Sequence, residues 1–572
     1  MKAFFIIFLC SFSFYLFAQQ KEVNRYIQIG KDSATNKNYV AALSNYKRAL
    51  KIQPFNATIL DLIGESFIQT TQYDSAIAVF MQAIKLDSNN LLYRKKTGML
   101  FYHLKRYETA IPYLETVVKY SNSDDSFTCT IAICLYEMKQ YQKVIPLLNA
   151  YLMLHDDNVI ALKYIGLSYM ATNSFSEAIS SFEKALFFTP NNPQILNYLA
   201  ISQRNVGQTT AALSNFELAH NYAPNDVDIG LMLAESRFQA AQYGKARELY
   251  FQFIAQCPNQ DKLNFYIANS FFNEQNMDSS IVYYKYALAI NANYDKCYEP
   301  LAAAYLRTKK FDGAVEFYSK VQSIHNSASI NNFLGLSFLG LKNYLKAKDY
   351  FSQAILIDNK MGIAYFNLGR VEDLLNDKEG ALISFKNAKN LMPGDVDALN
   401  YLAKAYAKVG DASNAIDNYL KALEIQPNTA NLYKVADLYC SEKNYDAAFD
   451  IFQKLSALDQ SNAHLYYKQG WCLDAKKSFL EAITMYQIAL QYQENNKDFL
   501  LAIGNDYFQL EAYKNAIIYL NLALNQDPNF AKAYYLLGYT KYNLGKVKEA
   551  KELFLKANTL DSSYSLPGFL KQ

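Results

Sequence analysis

The residues able to do covalent chemistry are few and dispersed. The five histidines stand at His103, His155, His220, His325 and His464, far apart along the chain. A metal or general-base site needs such groups to converge, and H-E-x-x-H, glycine-rich phosphate loops and G-x-S-x-G are all missing. Of seven cysteines, Cys10 lies in the N-terminal segment; the others are Cys129, Cys134, Cys257, Cys297, Cys440 and Cys472, and none forms C-x-x-C. Cys129 and Cys134 are five apart and would face different sides of one helix, which argues against a metal pair. The pattern suits small apolar packing residues. Asp and Glu are common and read as solvated helix faces. The residues therefore point to no metal, no cofactor and no catalysis by this chain alone.

Recognition chemistry is better represented. Arg370, Lys404, Lys408, Tyr433, Lys434, Asp437, Tyr467, Trp471 and Asp474 mix aromatic faces with charges, and Trp471 is the single tryptophan of the chain. Aromatic faces among charges suit an extended peptide or a sugar. Earlier, Met99, Ile133, Leu167 and Ile201 recur every 34 residues, as do Tyr102, Tyr136 and Met170. Nucleic acid is disfavoured: 56 basic residues against 53 acidic ones give a net charge of +3, with no basic block. Apolar residues at 51% indicate a folded chain, and only 20 glycines and 12 prolines favour helices with short connections.

The 34-residue spacing belongs to the elements that must position these side chains. Three stretches show it: Tyr39–Tyr46, Phe175–Phe182 and Tyr513–Leu520 each read aromatic, two variable, Ala, three variable, large apolar. Each has Ala three residues further on (Ala49, Ala185, Ala523), Pro five beyond that (Pro54, Pro190, Pro528), and Gly twelve before the central Ala (Gly30, Gly166, Gly504). This resembles the tetratricopeptide repeat, a two-helix unit. Laid from Val23 to Tyr564, the period gives sixteen repeats, fourteen of 34 residues and two of 33. The first begin at Val23, Ala57, Leu91 and Asp125, and the two short ones at Asp295 and Val396. Position 8 is always Gly or Ala, position 20 is Ala in fourteen repeats, and position 24 is aromatic in thirteen and Leu in the rest. Small residues at 8 and 20 let helices A and B of one repeat approach, and the large residue at 24 fills space between repeats. Larger residues at position 27, such as Tyr151 and Phe253, should widen the local spacing. Pro54, Pro190, Pro224, Pro258, Pro393, Pro427 and Pro528 end B helices, Pro193 opens an A helix, and Pro112 and Pro146 fall near the end of a first turn of helix B.

The resemblance implies an all-α, right-handed superhelical solenoid over residues 23–564, with a short tail at 565–572 that Leu566, Phe569 and Leu570 would fold over the last repeat. In this family the A helices line the concave surface, chiefly through positions 2, 5, 9, 12 and 13. It follows that Met99, Tyr102, Ile133, Tyr136, Leu167, Met170 and Ile201 form an apolar stretch of groove, or are buried against neighbouring A helices. The second candidate stretch carries Arg370, Lys404, Tyr433, Asp437, Tyr467 and Trp471. The Lys and Asn pair by which chaperone-binding relatives clamp acidic tails occurs in no single repeat. The implied function is a non-catalytic scaffold for a protein or peptide; the rivals are a structural subunit of an envelope or secretion assembly and a glycan-binding module. Met1-Lys2, the apolar run Ala3–Phe17 and a polar turn after Ala18 have the order of a secretory signal peptide over residues 1–18. The expectation is an exported protein, periplasmic or at the cell surface, whose mature chain has no membrane span.

Overall fold

The computed structural model describes residues 2–121, 127–257 and 259–568, with side chains from residue 15 onward. The Cys10 side chain, Asp125, Pro258, Phe569 and Leu570 lie outside the described residues. The described residues form 32 α-helices and no strand. The chain divides into two units, residues 1–292 and 293–572, each of eight helical hairpins.

The hairpins follow the period. A helices begin at Ala57, Leu91, Val159, Pro193 and Val227 in the first unit and at Ala328, Gly362, Val396, Thr429, Ala463, Lys497 and Ala531 in the second. The residue just before position 1 caps many of them: Asn158 Oδ1 accepts the Ala161 N–H at 3.0 Å, and Asn56, Asn192, Asp226 and Asn496 act likewise. Such a cap satisfies an N–H that the helix itself leaves unpaired. Pro54, Pro190, Pro224, Pro393, Pro427 and Pro528 each lie two residues past the end of a B helix, and Pro193 is the first residue of its A helix. Pro112 and Pro146 depart from the sequence reading. Each is the sixth residue of its B helix, Tyr107–Tyr120 and Tyr141–Leu152, so each removes a hydrogen bond from the helix interior and not from its first turn.

The core explains the repeat. Ala178 at position 20 is wholly buried, as are Ala42, Ala76, Ala110, Ala314 and Ala516. The position 24 ring lies against helix A of its own repeat: a Cβ on Gly166 would come within 2.6 Å of the Phe182 ring. It also reaches the next A helix, with Phe182 stacked on Tyr198 at 5.8 Å and Tyr318 on Phe333 at 5.2 Å. One ring thus ties three helices together, within the repeat as well as between repeats. Phe253, the large residue at position 27, is buried because Gly230 makes room for it; a Cβ there would meet the ring at 2.1 Å.

Between helices A and B every repeat passes through a left-handed residue. Lys37, Thr71, Lys105, Lys139, Asn173, Ala241 and Gln275 have φ between 56° and 61°, and Gly207 in the same register has φ 82°. This is the αL stop of a helix C-terminus.

The first helix runs unbroken over Lys2–Thr35. Tyr15, Leu16 and Phe17 are exposed, and burial begins at Val23. At the other end Leu566 packs on Ala550 and Phe554 of the last repeat.

Candidate ligand-binding face

In the first unit the apolar candidates are half-buried. Met99 packs against the core that holds Val144 and Ile165, Leu167 and Met170 against that of Phe182, and Ile201 against that of Phe216; Ile133 is also half-buried. Tyr102 packs on the core of Phe101 and Cys134. Tyr136 meets Tyr164 edge-on at 5.3 Å. Burial first, then the Tyr102, Glu137, Tyr136 and Tyr198 side chains, pushes the Tyr164 phenol up to about 12. Tyr164, at position 6, therefore packs on Tyr136 with the Tyr102 and Tyr198 side chains near it, and position 6 is not among the groove positions the repeat implies.

In the second unit several candidate charges are taken up by neighbours. Lys404 and Lys408 both bind Asp373, the former at 3.3 Å. Arg370 lies over the Phe366 ring and donates to Asn367 Oδ1 at 3.4 Å, and Lys434 lies over Tyr419. Asp437 and Tyr433 are exposed and line no cavity described here.

Tyr467, Trp471 and Asp474 share a cavity of about 470 Å³. Three successive A helices build it: Ala463–Ala475, Lys497–Gln509 and Ala531–Asn543. Asp498, Leu501 and Asn505 come from the second, and Lys532, Tyr535 and Tyr539 from the third; Tyr486, Phe530 and Tyr564 complete the wall. The contributing A-helix residues occupy mainly positions 2, 5, 9 and 12. The ring packing is fixed: Tyr467 stacks on Phe499 at 4.9 Å, Trp471 meets Tyr445 edge-on at 5.6 Å, and Tyr535 contacts Tyr564 at 5.0 Å. Burial raises the phenols of Tyr467 and Tyr486, so both stay neutral donors. Tyr467, Trp471 and Asp474 are legible in the sequence of the fourteenth repeat. Extending the same positions two repeats further would have found Asp498, Tyr535 and Tyr539.

A second cavity of about 530 Å³ opens between the helices Tyr107–Tyr120, Thr128–Glu137 and Tyr141–Leu152, with Pro112, Leu135, Met138 and Leu147 in its wall. No candidate residue from the sequence lies in it. Among the described residues no group of His, Cys, Asp and Glu could hold a metal ion, and no helix is long and apolar enough to cross a membrane.

Helical hairpins in a fixed period, with side chains from successive A helices meeting in one cavity, define an all-α repeat protein. Tetratricopeptide repeat profiles match residues 62–125, 328–361, 396–429 and 531–564, and three of these matches start at position 1 of a repeat. The chain is a tetratricopeptide repeat protein. It is similar to the BBSome complex member BBS4 of Bos taurus, at 24% identity over 40% of this chain and 44% of that protein. It is also similar to the TPR repeat-containing protein MJ1428 of Methanocaldococcus jannaschii, at 24% identity over 41% of this chain and 37% of that one. The chain thus spans less than half the length of these curated relatives. Among solved structures, a chain of Naa15/Naa10 bound to HypK-THB is similar over 94% of both chains, at 14% identity and a TM-score of 0.30.

Proposed function

We propose that this protein is a non-catalytic scaffold that captures a protein or peptide on its A-helix face. The observation that carries this reading is the cavity of about 470 Å³ assembled from equivalent positions of three consecutive repeats. Aromatic side chains supply large contact area at low entropic cost, which is what a peptide-binding surface needs. Selection of a random peptide library on the purified chain should enrich ligands. Their affinity should fall about tenfold or more in Trp471→Ala/Tyr535→Ala, as expected for two interface anchors, while the helical circular dichroism stays unchanged. No enrichment, or ligands indifferent to the double variant, would contradict the proposal.

A structural subunit of a larger assembly is the second reading. It is supported by exposed apolar side chains on B helices, Phe187 and Leu356 among them, and by the name of the relative BBS4, a complex member. In either case we propose export, with removal of residues 1–18. The segment before Val23 contributes no described side chain to the core, so its loss would leave the first hairpin packed. N-terminal sequencing of the chain purified from its own cells should begin at Gln19, and a chain that begins at Met1 would count against export.

A further inference from the structure

One residue beside the aromatic cavity is not accounted for by helix packing. Position 10 of helix A is usually small and buried, and where it is Ser or Thr, Ser236 apart, the hydroxyl returns to its own helix. Ser168 donates to the Tyr164 carbonyl at 2.8 Å, Ser202 to Tyr198 at 2.9 Å and Thr540 to Leu536 at 2.8 Å. In the fifteenth repeat this position is Asp506, which is wholly buried. A carboxylate cannot make the hydroxyl's bond. Its Oδ1 accepts a long bond of 3.4 Å from Asn505, and apart from the Asp474 carboxyl its Oδ2 has no partner. Asp474, from the preceding A helix, stands against it and lines the cavity. Burial, and then the Asp474 carboxyl, push Asp506 up to about 8. At neutral pH the pair therefore holds one proton between its members and keeps roughly one negative charge.

That charge sits at the edge of a cavity whose wall includes the aromatic side chains of Tyr467, Trp471, Tyr535 and Tyr539. Asp498 adds a second carboxylate at the exposed side, against the single ammonium of Lys532. Ring faces and carboxylates both attract positive charge, and both repel an anion. A neutral ligand can donate a hydrogen bond to the pair, but only a cation also gains from its charge.

We propose that this cavity binds an organic cation, an ammonium or guanidinium group held between the rings with Asp474 as its counter-ion. The group is carried either on a Lys or Arg side chain of a peptide or by a free small amine. The inference deepens the scaffold reading and rests on the A-helix face being the ligand face.

Trp471 is the only tryptophan, so its emission reports this cavity in the full chain. Titration with tetramethylammonium, butylammonium and butylguanidinium should give saturable changes. The neutral isostere 3,3-dimethylbutanol should bind about tenfold or more weakly, the margin a desolvated cation gains over rings. Asp474→Asn/Asp498→Asn should lose the cation response with its thermal midpoint retained. Lys532→Ala, at an exposed position that does not threaten folding, should strengthen the response. Equal response to the neutral alcohol, or a response to glucose but not to cations, would overturn the proposal, as would a cation response unmoved by Lys532→Ala. Preference for butylguanidinium or butylammonium assigns the source to a peptide side chain, and preference for tetramethylammonium assigns it to a free amine. Selected peptides that bind at Trp471 without Lys or Arg, with no cation response, would sink the cation and leave the scaffold standing. Cation binding with no peptide selected would do the reverse.

Discussion

Burial holds a proton on Asp506 that the unfolded chain releases near its ordinary value of 3.8. From there up to about 8 the folded chain binds more protons than the unfolded one. Stability therefore falls as pH rises through that window, the opposite sign to a salt-bridged carboxylate. The groups facing the pair are Tyr467 on the helix of Asp474, Tyr486 on the following B helix, and Asn505. Burial raises both phenols, so none of them titrates in the window. Asp506→Asn should accordingly raise the thermal midpoint at pH 8 and leave it little changed at pH 4; a larger gain at pH 4 would refute this linkage. Trp471 and Tyr467 could be found from sequence because their position in the repeat sets their direction. Asp506 could not. An acidic residue in an amphipathic helix ordinarily reads as solvent-facing, and the packing of the fifteenth repeat buries this one wholly at position 10.

The elements owe their spacing to residues that the period displays. Positions 8, 20 and 24 are where two backbones and one ring must fit, so composition there is restricted and legible. The left-handed turn between helices A and B is not. Its signal is Gly or Asn, as at Gly207, Gly410, Asn173 and Asn376, but Lys fills it in many repeats, and Thr71 is β-branched with φ 56°. A long side chain at an exposed turn reads as ordinary surface, and the fold imposes φ through the helices on either side. Such strain costs about 1 kcal/mol or more for a β-branched residue. Thr71→Gly should raise stability to urea by about 0.5–1 kcal/mol after the unfolded-state entropy of glycine is offset. A destabilised variant would show that the Thr71 side chain makes a compensating contact. Pro112 and Pro146 depart from the sequence expectation for a related reason: sequence position gives the turn, but the start of each B helix at Tyr107 and Tyr141 sets the hydrogen-bond register.

At the scale of the molecule, period and composition were enough for an all-α repeat protein, and the division into units of eight hairpins was not visible in them. Helix A at that division shows why: Asp295–Cys297 forms a 3₁₀ turn and the α-helix starts only at Tyr298, although the period continues through this stretch. The A-helix positions of the proposed ligand face are legible in the period, but which of them enclose a cavity depends on ring packing among Tyr467, Phe499 and Tyr535. The central claim is that ligand is held by A helices and not by B helices. It is tested most directly by placing the photo-crosslinker p-benzoylphenylalanine at Tyr539, which lines the cavity, or at Ile518, exposed on the B helix Tyr513–Gln526, and irradiating the full chain with a library-selected peptide. A covalent peptide adduct should form from position 539 and none from position 518. An adduct confined to position 518 would contradict it.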